Sequence, residues 1–423
     1  MKIGLQTWGS HGDIRPLLAL AGGLQTAGHD VTLAITSIDK AIYESSISHG
    51  GVKIQMISSP LIQNSGELRN IEAEIFSQSD PVKQTQVIIE KLFLPAESAM
   101  YEAAEQLCED NDLVIGHFFH YPMNVAAELS GRNYISVALV HSAIPSSSQP
   151  PAGLPNLGGW GNRLMWLLVK SVLNKKLKKY PDQLRMKHGM PPARDLIEDV
   201  WASKLLTLVA VSPQICTISC DWPGHYKICG FLNTRELPSE GIVSEDLLTF
   251  ISKGDSPIYM TFGSVMLGGN QEETIALLCE AAEKASARAI IQAPGWSESG
   301  FKSSTTVHFV DAAPHAAIFP QCKAIVHHGG AGTTHSALHA GKPSIVVAHT
   351  SEQEFWGREL MRIGASTKPI PRRKLTSEQL ARNIILTVGS KEISGAASRI
   401  GTAMSRENGV ETAVRLISEK FSA

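Results

Sequence analysis

Short apolar runs alternate with longer amphipathic stretches along the first half of the chain. The runs are rich in β-branched residues and predict buried strands, and the stretches between them have helical spacing. The predicted strands are 2–7, 30–36, 52–57, 112–116, 134–140 and 205–211, with a helix from Pro16 to Ala27 after the first. Apolar strands interleaved with helices are typical of a parallel sheet covered on both faces.

The second half repeats this rhythm. Its predicted strands are 257–262, 288–293, 306–310, 323–327 and 344–348, with a helix near 271–286. We therefore predict an α/β protein with two Rossmann-like, doubly wound parallel-sheet domains, whose strand carboxyl edges face each other across a cleft. The predicted segments are domain 1–225, a turn-rich linker 226–241, domain 242–405, and a helix in 406–423 that can cross back to the first domain.

Composition narrows the class of protein. A chain of 423 residues exceeds one ordinary core, and its net charge of −2 argues against a nucleic-acid binder. No apolar run approaches the roughly 20 residues that span a bilayer, and the chain starts in a strand rather than a signal peptide. No cysteines form a CxxC pair, so Cys216 and Cys220 are interpreted as buried free thiols. These features favour a cytoplasmic protein.

The segment "HHGGAGTTHSALHAGKP", residues 327–343, links two predicted strands through a glycine turn and a helix. A helix N-terminus at the carboxyl edge of a parallel sheet favours an anion, and glycines let a phosphate approach the backbone. The side chains of His328, Thr333 and Thr334 can add donors. The alternative interpretation is a tight turn in which glycine supplies a positive φ.

The segment "TWGSHGDIRP", residues 7–16, has the same strand, glycine turn and helix start, and it displays His11 and Asp13. Asp13 can act as a proton acceptor, or it can simply cap the helix. Gly9 and Gly12 lack the third glycine of the dinucleotide-binding fingerprint.

Three segments together resemble family 1 nucleotide-sugar glycosyltransferases, and among them the bacterial and fungal enzymes that glycosylate sterols and natural products. They are "GSHGDIRPLLALAGGLQTAGHDVTLA" near the start, "SPQICTISCDWPGHYKICGF" at 212–231 and the stretch 314–360 around the glycine turn. The resemblance implies the GT-B fold, with the donor on the second domain and the acceptor on the first.

The resemblance also implies a donor site. The diphosphate is expected at His328 and the N–H groups of Gly330, Ala331, Gly332, Thr333 and Thr334, with Gly12, Gly263 and Ser264 as further donor contacts. The base is expected at Ala312, Ala313 and His315, without an aromatic platform, and the sugar hydroxyls at Glu352 and Gln353. Glu352 also fits an ordinary residue at a helix N-terminus and Gln353 a solvated side chain, Ser264 fits a plain turn after a strand, and His315 fits a structural helix start.

The implied reaction is a direct displacement with inversion at the anomeric carbon. Asp13 is the expected base, with His11 beside it, and no metal or other cofactor is expected. UDP-glucose is the favoured donor, a TDP-sugar is the alternative, and the acceptor is a lipophilic hydroxyl compound such as a sterol, terpenoid, flavonoid or hydroxy-lipid. The motif Asp110–Asn111–Asp112 precedes a strand and is interpreted as a polar turn.

Two other functions fit the same resemblance. A nucleotide-sugar 2-epimerase would convert the donor without an acceptor, and a catalytically silent protein would only bind it. An intact Asp13 argues against the second alternative.

Residues 162–188 predict a basic amphipathic helix. Met165, Val169, Leu173 and Leu177 are spaced as one apolar stripe, and the surrounding cations face only Asp182 in the local sequence. Such a helix can lie on an anionic membrane at the inner surface, or its stripe can face the core while the polar side is solvated.

Overall fold

The computed structural model describes residues 1–37, 51–59, 65–78, 80–233, 242–263, 271–298 and 300–421. The chain divides into two compact units, Met1–Glu236 with Asn408–Ala423, and Leu237–Glu407. Each unit is a parallel sheet with helices, and each strand predicted from the sequence overlaps a strand of the structure.

The first unit contains, within its described residues, a seven-stranded parallel sheet in the order β3-β2-β1-β4-β5-β6-β7. The strands are β1 Lys2–Gly9, β2 Asp30–Ser37, β3 Lys53–Met56, β4 Leu113–His117, β5 Asn133–Ala138, β6 Leu206–Val209 and β7 Tyr226–Ile228. The strand order reverses between β1 and β4, where Gln6 lies beside Gly116. Strand β7 falls within the stretch that the sequence assigned to a linker, and it belongs to this sheet.

The helices of the first unit are α1 His11–Thr26, α2 Ser65–Ser77, α3 Pro81–Ile88, α4 Glu97–Asp110, α5 Tyr121–Ser130, α6 Gly158–Leu177, α7 Lys179–Lys187 and α15 Gly409–Phe421. Short π turns lie at Ile89–Phe93 and Leu196–Trp201, and a 3-10 turn lies at Leu94–Ala96. Helix α1 begins at His11, before the predicted start at Pro16, because Ser10 caps it and Pro16 lies inside it.

The C-terminal helix α15 packs on α1. Its Ala413 and Ile417 are fully buried in the same core as Ile3 of β1. A Cβ atom on Gly23 of α1 would come within 2.2 Å of Val410 Cγ1, so a glycine is needed for this close approach.

The second unit contains, again within its described residues, a six-stranded sheet in the order β10-β9-β8-β11-β12-β13. The strands are β8 Ile258–Thr261, β9 Ala289–Gln292, β10 Val307–Val310, β11 Ile325–His327, β12 Ser344–Ala348 and β13 Ile370–Pro371. The helices are α8 Glu245–Ser252, α9 Gln271–Lys284, α10 His315–Ile318, α11 Ala331–His339, α12 Ser351–Arg362, α13 Ser377–Gly389 and α14 Lys391–Met404. Short 3-10 turns lie at Trp296–Glu298, Phe319–Gln321 and Arg372–Lys374.

Two further expectations concern thiols and membranes. The six cysteines all lie in described ranges and are free thiols; Cys216 is buried as expected, whereas Cys220 is exposed. Among the described helices, none has both the length and the apolar character that a membrane crossing requires.

Candidate active site

The strand order of the second sheet reverses between β8 and β11. Open α/β sheets bind ligands outside the carboxyl ends of the strands at such a point. Gly263 follows β8 and His328 follows β11, and a Cβ atom on Gly263 would lie 3.2 Å from His328 Cε1. The fold therefore brings together two residues that are 65 positions apart and that the sequence assigned to the donor site. Ser264 lies outside the described residues.

The glycine turn after β11 has one position that requires glycine. Gly329 has a φ of 90°, and a Cβ atom there would stand 2.7 Å from the carbonyl oxygen of Gln353. Gly330 has a φ of −63° and is the N-cap of α11. A Cβ atom on Gly330 would stand 2.4 Å from His328 Nε2, whereas one on Gly332 would meet open space. The positive φ thus falls on Gly329, which the sequence did not single out.

Helix α11 starts without a side-chain cap, and its first turn contains no acidic residue. The first N–H groups of an α-helix have no acceptor within the helix, so those of Ala331, Gly332 and Thr333 suit an anion. The N–H group of Thr334 donates to the Gly330 carbonyl at 2.9 Å, and the Thr334 side chain is fully buried. Thr334 therefore differs from the expectation, because its N–H group already has an acceptor and its hydroxyl lies in the interior.

The adjacent residues His327 and His328 have different surroundings. His327 is fully buried, and its Nδ1 accepts the N–H group of Gly329 at 3.1 Å. Burial lowers the pKa of His327 to about 3, with a smaller contribution from His328. Burial also lowers the pKa of His328 to about 4, with a smaller contribution from His315, so the imidazole is neutral near pH 7. The His328 Nδ1 atom has no partner within the described part of the chain.

Glu352 and Gln353 begin helix α12. Gln353 Oε1 accepts the N–H groups of His349 at 2.8 Å and Thr350 at 3.2 Å, while the Thr350 hydroxyl accepts the N–H group of Gln353 at 3.3 Å. This is a capping box. Glu352 is exposed, and its Oε1 accepts from Trp356 Nε1 at 3.4 Å. Glu352 therefore fits the alternative of a helix N-terminal residue, whereas Gln353 caps the helix and is not the solvated side chain of that alternative.

The segment assigned to the base lies at the carboxyl end of β10. Ala313 is buried in the core, and the His315 ring stacks on Phe319 with centroids 4.3 Å apart. Ala312 lines a cavity of about 710 Å³ that Trp296 also lines. Trp296 is therefore an aromatic side chain near this segment, although the segment itself has none. Nothing in the local sequence pattern indicated Trp296, because it lies 16 residues before Ala312.

A cation that the sequence did not indicate lies at the same edge of the second sheet. Arg372 follows β13, and its guanidinium donates to the Thr274 hydroxyl at 2.9 Å. Burial lowers the pKa of Arg372. The pKa of His349 is lowered to about 3 by burial first and then by the charges of His328 and Arg372. The sequence offers one signal for Arg372, which is that it comes directly after the last strand of the sheet.

In the first unit, Asp13 caps the N-terminus of α1. Its Oδ2 accepts from the N–H group of Ser10 at 3.0 Å and from the Ser10 hydroxyl at 3.2 Å. Gly9 has a φ of 129°, and a Cβ atom on it would lie 2.4 Å from the same oxygen. Asp13 thus makes the contacts of a capping acid while its side chain stays partly exposed. His11 is partly exposed beside it, and Gly12 is exposed.

The strand order of the first sheet reverses beside Asp13, and a histidine ends the neighbouring strand. His117 is the last residue of β4 and is buried. Burial lowers the pKa of His117, and the charge of Asp13 opposes this shift, so the two side chains interact electrostatically. His117 was not among the residues predicted from the sequence, in which its place at the end of a strand was the only signal for it.

The motif Asp110–Asn111–Asp112 lies at the opposite edge of this sheet. Asp112 Oδ2 accepts the N–H group of Lys2 at 2.9 Å, and Asn111 Nδ2 donates to the Leu107 carbonyl at 2.9 Å. These contacts join the end of α4 to the amino ends of β1 and β4, as expected of a polar turn.

The known proteins to which this chain is similar include several glycosyltransferases. The profile of the "Erythromycin biosynthesis protein CIII-like, C-terminal domain" family matches residues 280–418. A sterol 3-beta-glucosyltransferase of Arabidopsis thaliana is 29% identical over 98% of this chain, which spans about two thirds (67%) of that protein. The O-mycaminosyltylonolide 6-deoxyallosyltransferase of Streptomyces fradiae is 26% identical over 99% of this chain and 97% of its own length.

A solved structure is similar over its whole length. The crystal structure of the kitacinnamycin glycosyltransferase matches with a TM-score of 0.72 and 16% identity, covering 99% of this chain and 98% of that one. This likeness confirms the predicted fold, two parallel-sheet α/β domains of the GT-B type.

Proposed function

We propose that this chain is a GT-B glycosyltransferase related to sterol and natural-product enzymes, and that it transfers a hexose from a nucleotide diphosphate sugar to a hydroxyl group of a lipophilic small molecule. UDP-glucose is the favoured donor, because the plant relative is named a glucosyltransferase. A sterol, terpenoid, flavonoid or hydroxy-lipid is the acceptor class. The observation that carries the proposal is the uncapped N-terminus of α11 beside His328.

The diphosphate is assigned to this helix start. The N–H groups of Ala331, Gly332 and Thr333 and the positive end of the helix dipole stabilise negative charge. A neutral His328 can donate one further hydrogen bond, and the positive charge of Arg372 lies at the same sheet edge. Because these groups are fixed before the reaction, they can stabilise the charge that develops on the departing diphosphate.

The sugar is assigned to the start of α12. The hydrogen bonds with which Gln353 caps the helix use its Oε1 atom. Its Nε2 group can therefore donate a hydrogen bond to a sugar hydroxyl. The exposed carboxylate of Glu352 supplies acceptors for other hydroxyls. An acceptor and a donor on neighbouring residues suit the hydroxyl pattern of a hexose.

The chemical step is a direct displacement at the anomeric carbon. Asp13 accepts the proton of the acceptor hydroxyl, the hydroxyl oxygen forms the new bond to the anomeric carbon, and the bond from that carbon to the diphosphate breaks with inversion. General base catalysis of this kind typically contributes about 10²–10⁴-fold to the rate. His117 is a positioning residue in this scheme, because it is buried and interacts with the charge of Asp13.

The scheme includes no metal ion and no cofactor other than the nucleotide sugar, since the charge on the diphosphate is stabilised by hydrogen bonds from N–H groups and a neutral His328 and by the positive charge of Arg372. We assign the reaction to the cytoplasm, because six free thiols suit a reducing compartment.

The test is a mass-spectrometric screen of UDP- and TDP-sugars against sterols, terpenoids, flavonoids and hydroxy-lipids. We expect a product one hexose heavier than its acceptor, formed by the wild type and not by the Asp13→Asn variant. Conversion of the donor without any acceptor would instead indicate an epimerase. Tight UDP binding with no turnover in any pairing would indicate a silent binder.

A further inference from the structure

Helix α6 presents large apolar side chains to solvent along one side. Trp160, Leu164, Leu167, Leu168 and Val172 are 85%, 61%, 65%, 62% and 46% exposed. Their spacing of three or four residues places them on one face of the helix, called the outer face below. Leu157, just before the helix, is 63% exposed and extends this face. Contiguous exposed apolar surface of this kind marks an interaction site.

The orientation of α6 is fixed by its other side. Asn162 is fully buried and donates from Nδ2 to the Ser147 carbonyl at 2.9 Å. Trp166 is buried and donates from Nε1 to the Gln149 carbonyl at 2.9 Å. Because these bonds hold the inner side against the first unit, the outer face cannot turn inward without breaking them.

The apolar stripe predicted from the sequence is not the outer face of this helix. Met165, Val169, Leu173 and Leu177 lie on the partly buried and buried side, as the core-facing alternative required. The expectation of a solvated polar side was wrong, because the outer face is apolar. A hydrophobic pattern that runs around most of a helix hides which side is exposed.

The cations of this segment also differ from the expectation that they face only Asp182. Ion pairs engage Arg163 with Asp221, Lys170 with Asp195 and Glu198, Lys178 with Asp182, Lys179 with Glu90, and Arg185 with Glu128. Lys175 and Lys176 are exposed one turn beyond Val172, at the C-terminal end of the outer face. Arg163 lies at its other end, with its guanidinium carbon 5.9 Å from the centre of the Trp160 ring. Positive charge therefore borders the outer face at its C-terminal end, whereas the charge of Arg163 at the other end is partly neutralised by Asp221.

We propose that α6 docks on an anionic lipid bilayer, with its axis in the membrane plane and its outer face inserted at the boundary between head groups and acyl chains. Leucine and tryptophan on one face with lysine and arginine at its margins are the features of helices that lie in this boundary. The bordering cations select an anionic lipid surface over an uncharged apolar partner. This inference goes beyond the proposed transfer reaction and does not depend on it.

The test is co-sedimentation of the whole protein with vesicles of phosphatidylcholine, with and without phosphatidylglycerol, at low and high ionic strength. The variant Leu164→Glu/Leu167→Glu should bind anionic vesicles about 100-fold more weakly, because each Leu loses a burial worth about tenfold. The matched control is Leu386→Glu on α13, since Leu386 is 60% exposed and lies outside the outer face. The control should bind like the wild type.

The charged border has its own test. The variant Lys175→Gln/Lys176→Gln should bind anionic vesicles roughly 25-fold more weakly, since each lysine near such a surface contributes about fivefold. Its binding to phosphatidylcholine alone should not change. Circular dichroism must show that every variant is folded.

Three outcomes would overturn the proposal. The first is no binding of the wild type to anionic vesicles at low ionic strength. The second is an equal loss of binding in Leu386→Glu. The third is a dimer in light scattering that Leu164→Glu/Leu167→Glu splits into monomers without any effect on vesicles, which would assign the outer face to a second copy of the chain.

Discussion

The imidazole of His328 lies against Gly330 so closely that a Cβ atom on Gly330 would stand 2.4 Å from Nε2. A side chain therefore cannot be added at Gly330 without moving the His328 ring. We expect Gly330→Ala to displace the His328 ring and to weaken UDP binding about tenfold, the loss of roughly one hydrogen bond. Calorimetric titration of UDP into the purified variant measures this.

Gly332→Ala is the control for that change. A Cβ atom at Gly332 meets open space, and alanine is favoured over glycine within a helix, so the folded chain should be as stable as the wild type. Because the Gly332 N–H group is assigned to the diphosphate, weaker UDP binding by an equally stable Gly332→Ala variant would mean that the ligand occupies the space of the added methyl group. Unchanged UDP affinity in Gly330→Ala would contradict the placement of His328 in the site.

His328→Ala tests the side chain directly. It removes one donor and leaves the turn, because the positive φ belongs to Gly329. A hydrogen bond to a charged group is worth about 1.5–3 kcal/mol, so UDP binding should weaken about 10- to 100-fold. Uridine binding should scarcely change, since His328 is assigned to the diphosphate. Titrations with UDP and uridine, and with TDP and thymidine as the alternative pair, separate the contribution of the diphosphate to binding from that of the nucleoside. Equal UDP affinity in the wild type and His328→Ala would mean that the glycines form a turn and do not bind a diphosphate.

The sequence predicted the two-sheet architecture well, because buried parallel strands are nearly continuous apolar runs. It missed β7 and β13, which have three and two residues and carry no run of their own. It could not distinguish whether Asp13 caps a helix or accepts a proton, since both roles need a carboxylate at a helix start. The ion pairs of Lys170 and Lys179 join residues far apart in the chain, so local sequence cannot show them.

Asp13→Asn separates the two roles of this residue. Asparagine keeps an oxygen that can accept from Ser10, so the helix cap should survive while the proton acceptor is lost. Turnover should fall about 10²–10⁴-fold with donor affinity unchanged. Steady-state kinetics and UDP titration measure the two effects.

Two controls accompany that variant. Ser10→Ala removes the N-cap side chain and should lower the free energy of unfolding by about 1 kcal/mol without a comparable loss of turnover. His11→Ala should have a smaller effect on turnover than Asp13→Asn. The role assignment is reversed if His11→Ala abolishes turnover and Asp13→Asn does not.

The diphosphate site predicts activity without divalent cations. N–H groups at the start of α11, His328 and Arg372 supply the positive charge and donors that a metal ion would otherwise provide. Treatment with EDTA should leave most of the transferase activity. Complete loss of activity that Mg²⁺ or Mn²⁺ restores would contradict this and direct attention to Asp110 and Asp112.

The buried histidines predict that acid destabilises the second unit. The pKa of His327 is about 3 in the folded chain, below its ordinary value of 6.5, because burial disfavours the charged ring. Above pH 6.5 neither state binds this proton, so stability is fully retained there. As the pH falls from 6.5 towards 3, the unfolded chain takes up the proton first, and the free energy of unfolding should drop by about 1.4 kcal/mol per pH unit for this residue.

His327→Asn isolates that contribution. The amide oxygen can replace Nδ1 as the acceptor for the Gly329 N–H group, while no group remains to titrate. Urea unfolding at several pH values between 7 and 4 should therefore show a pH slope smaller by about 1.4 kcal/mol per unit in the variant. His328, with a pKa of about 4, adds a second slope of the same sign that persists in His327→Asn. If both proteins show the same slope, His327 takes up its proton in the folded state near its ordinary pKa, and the buried, neutral ring described at the end of β11 is wrong.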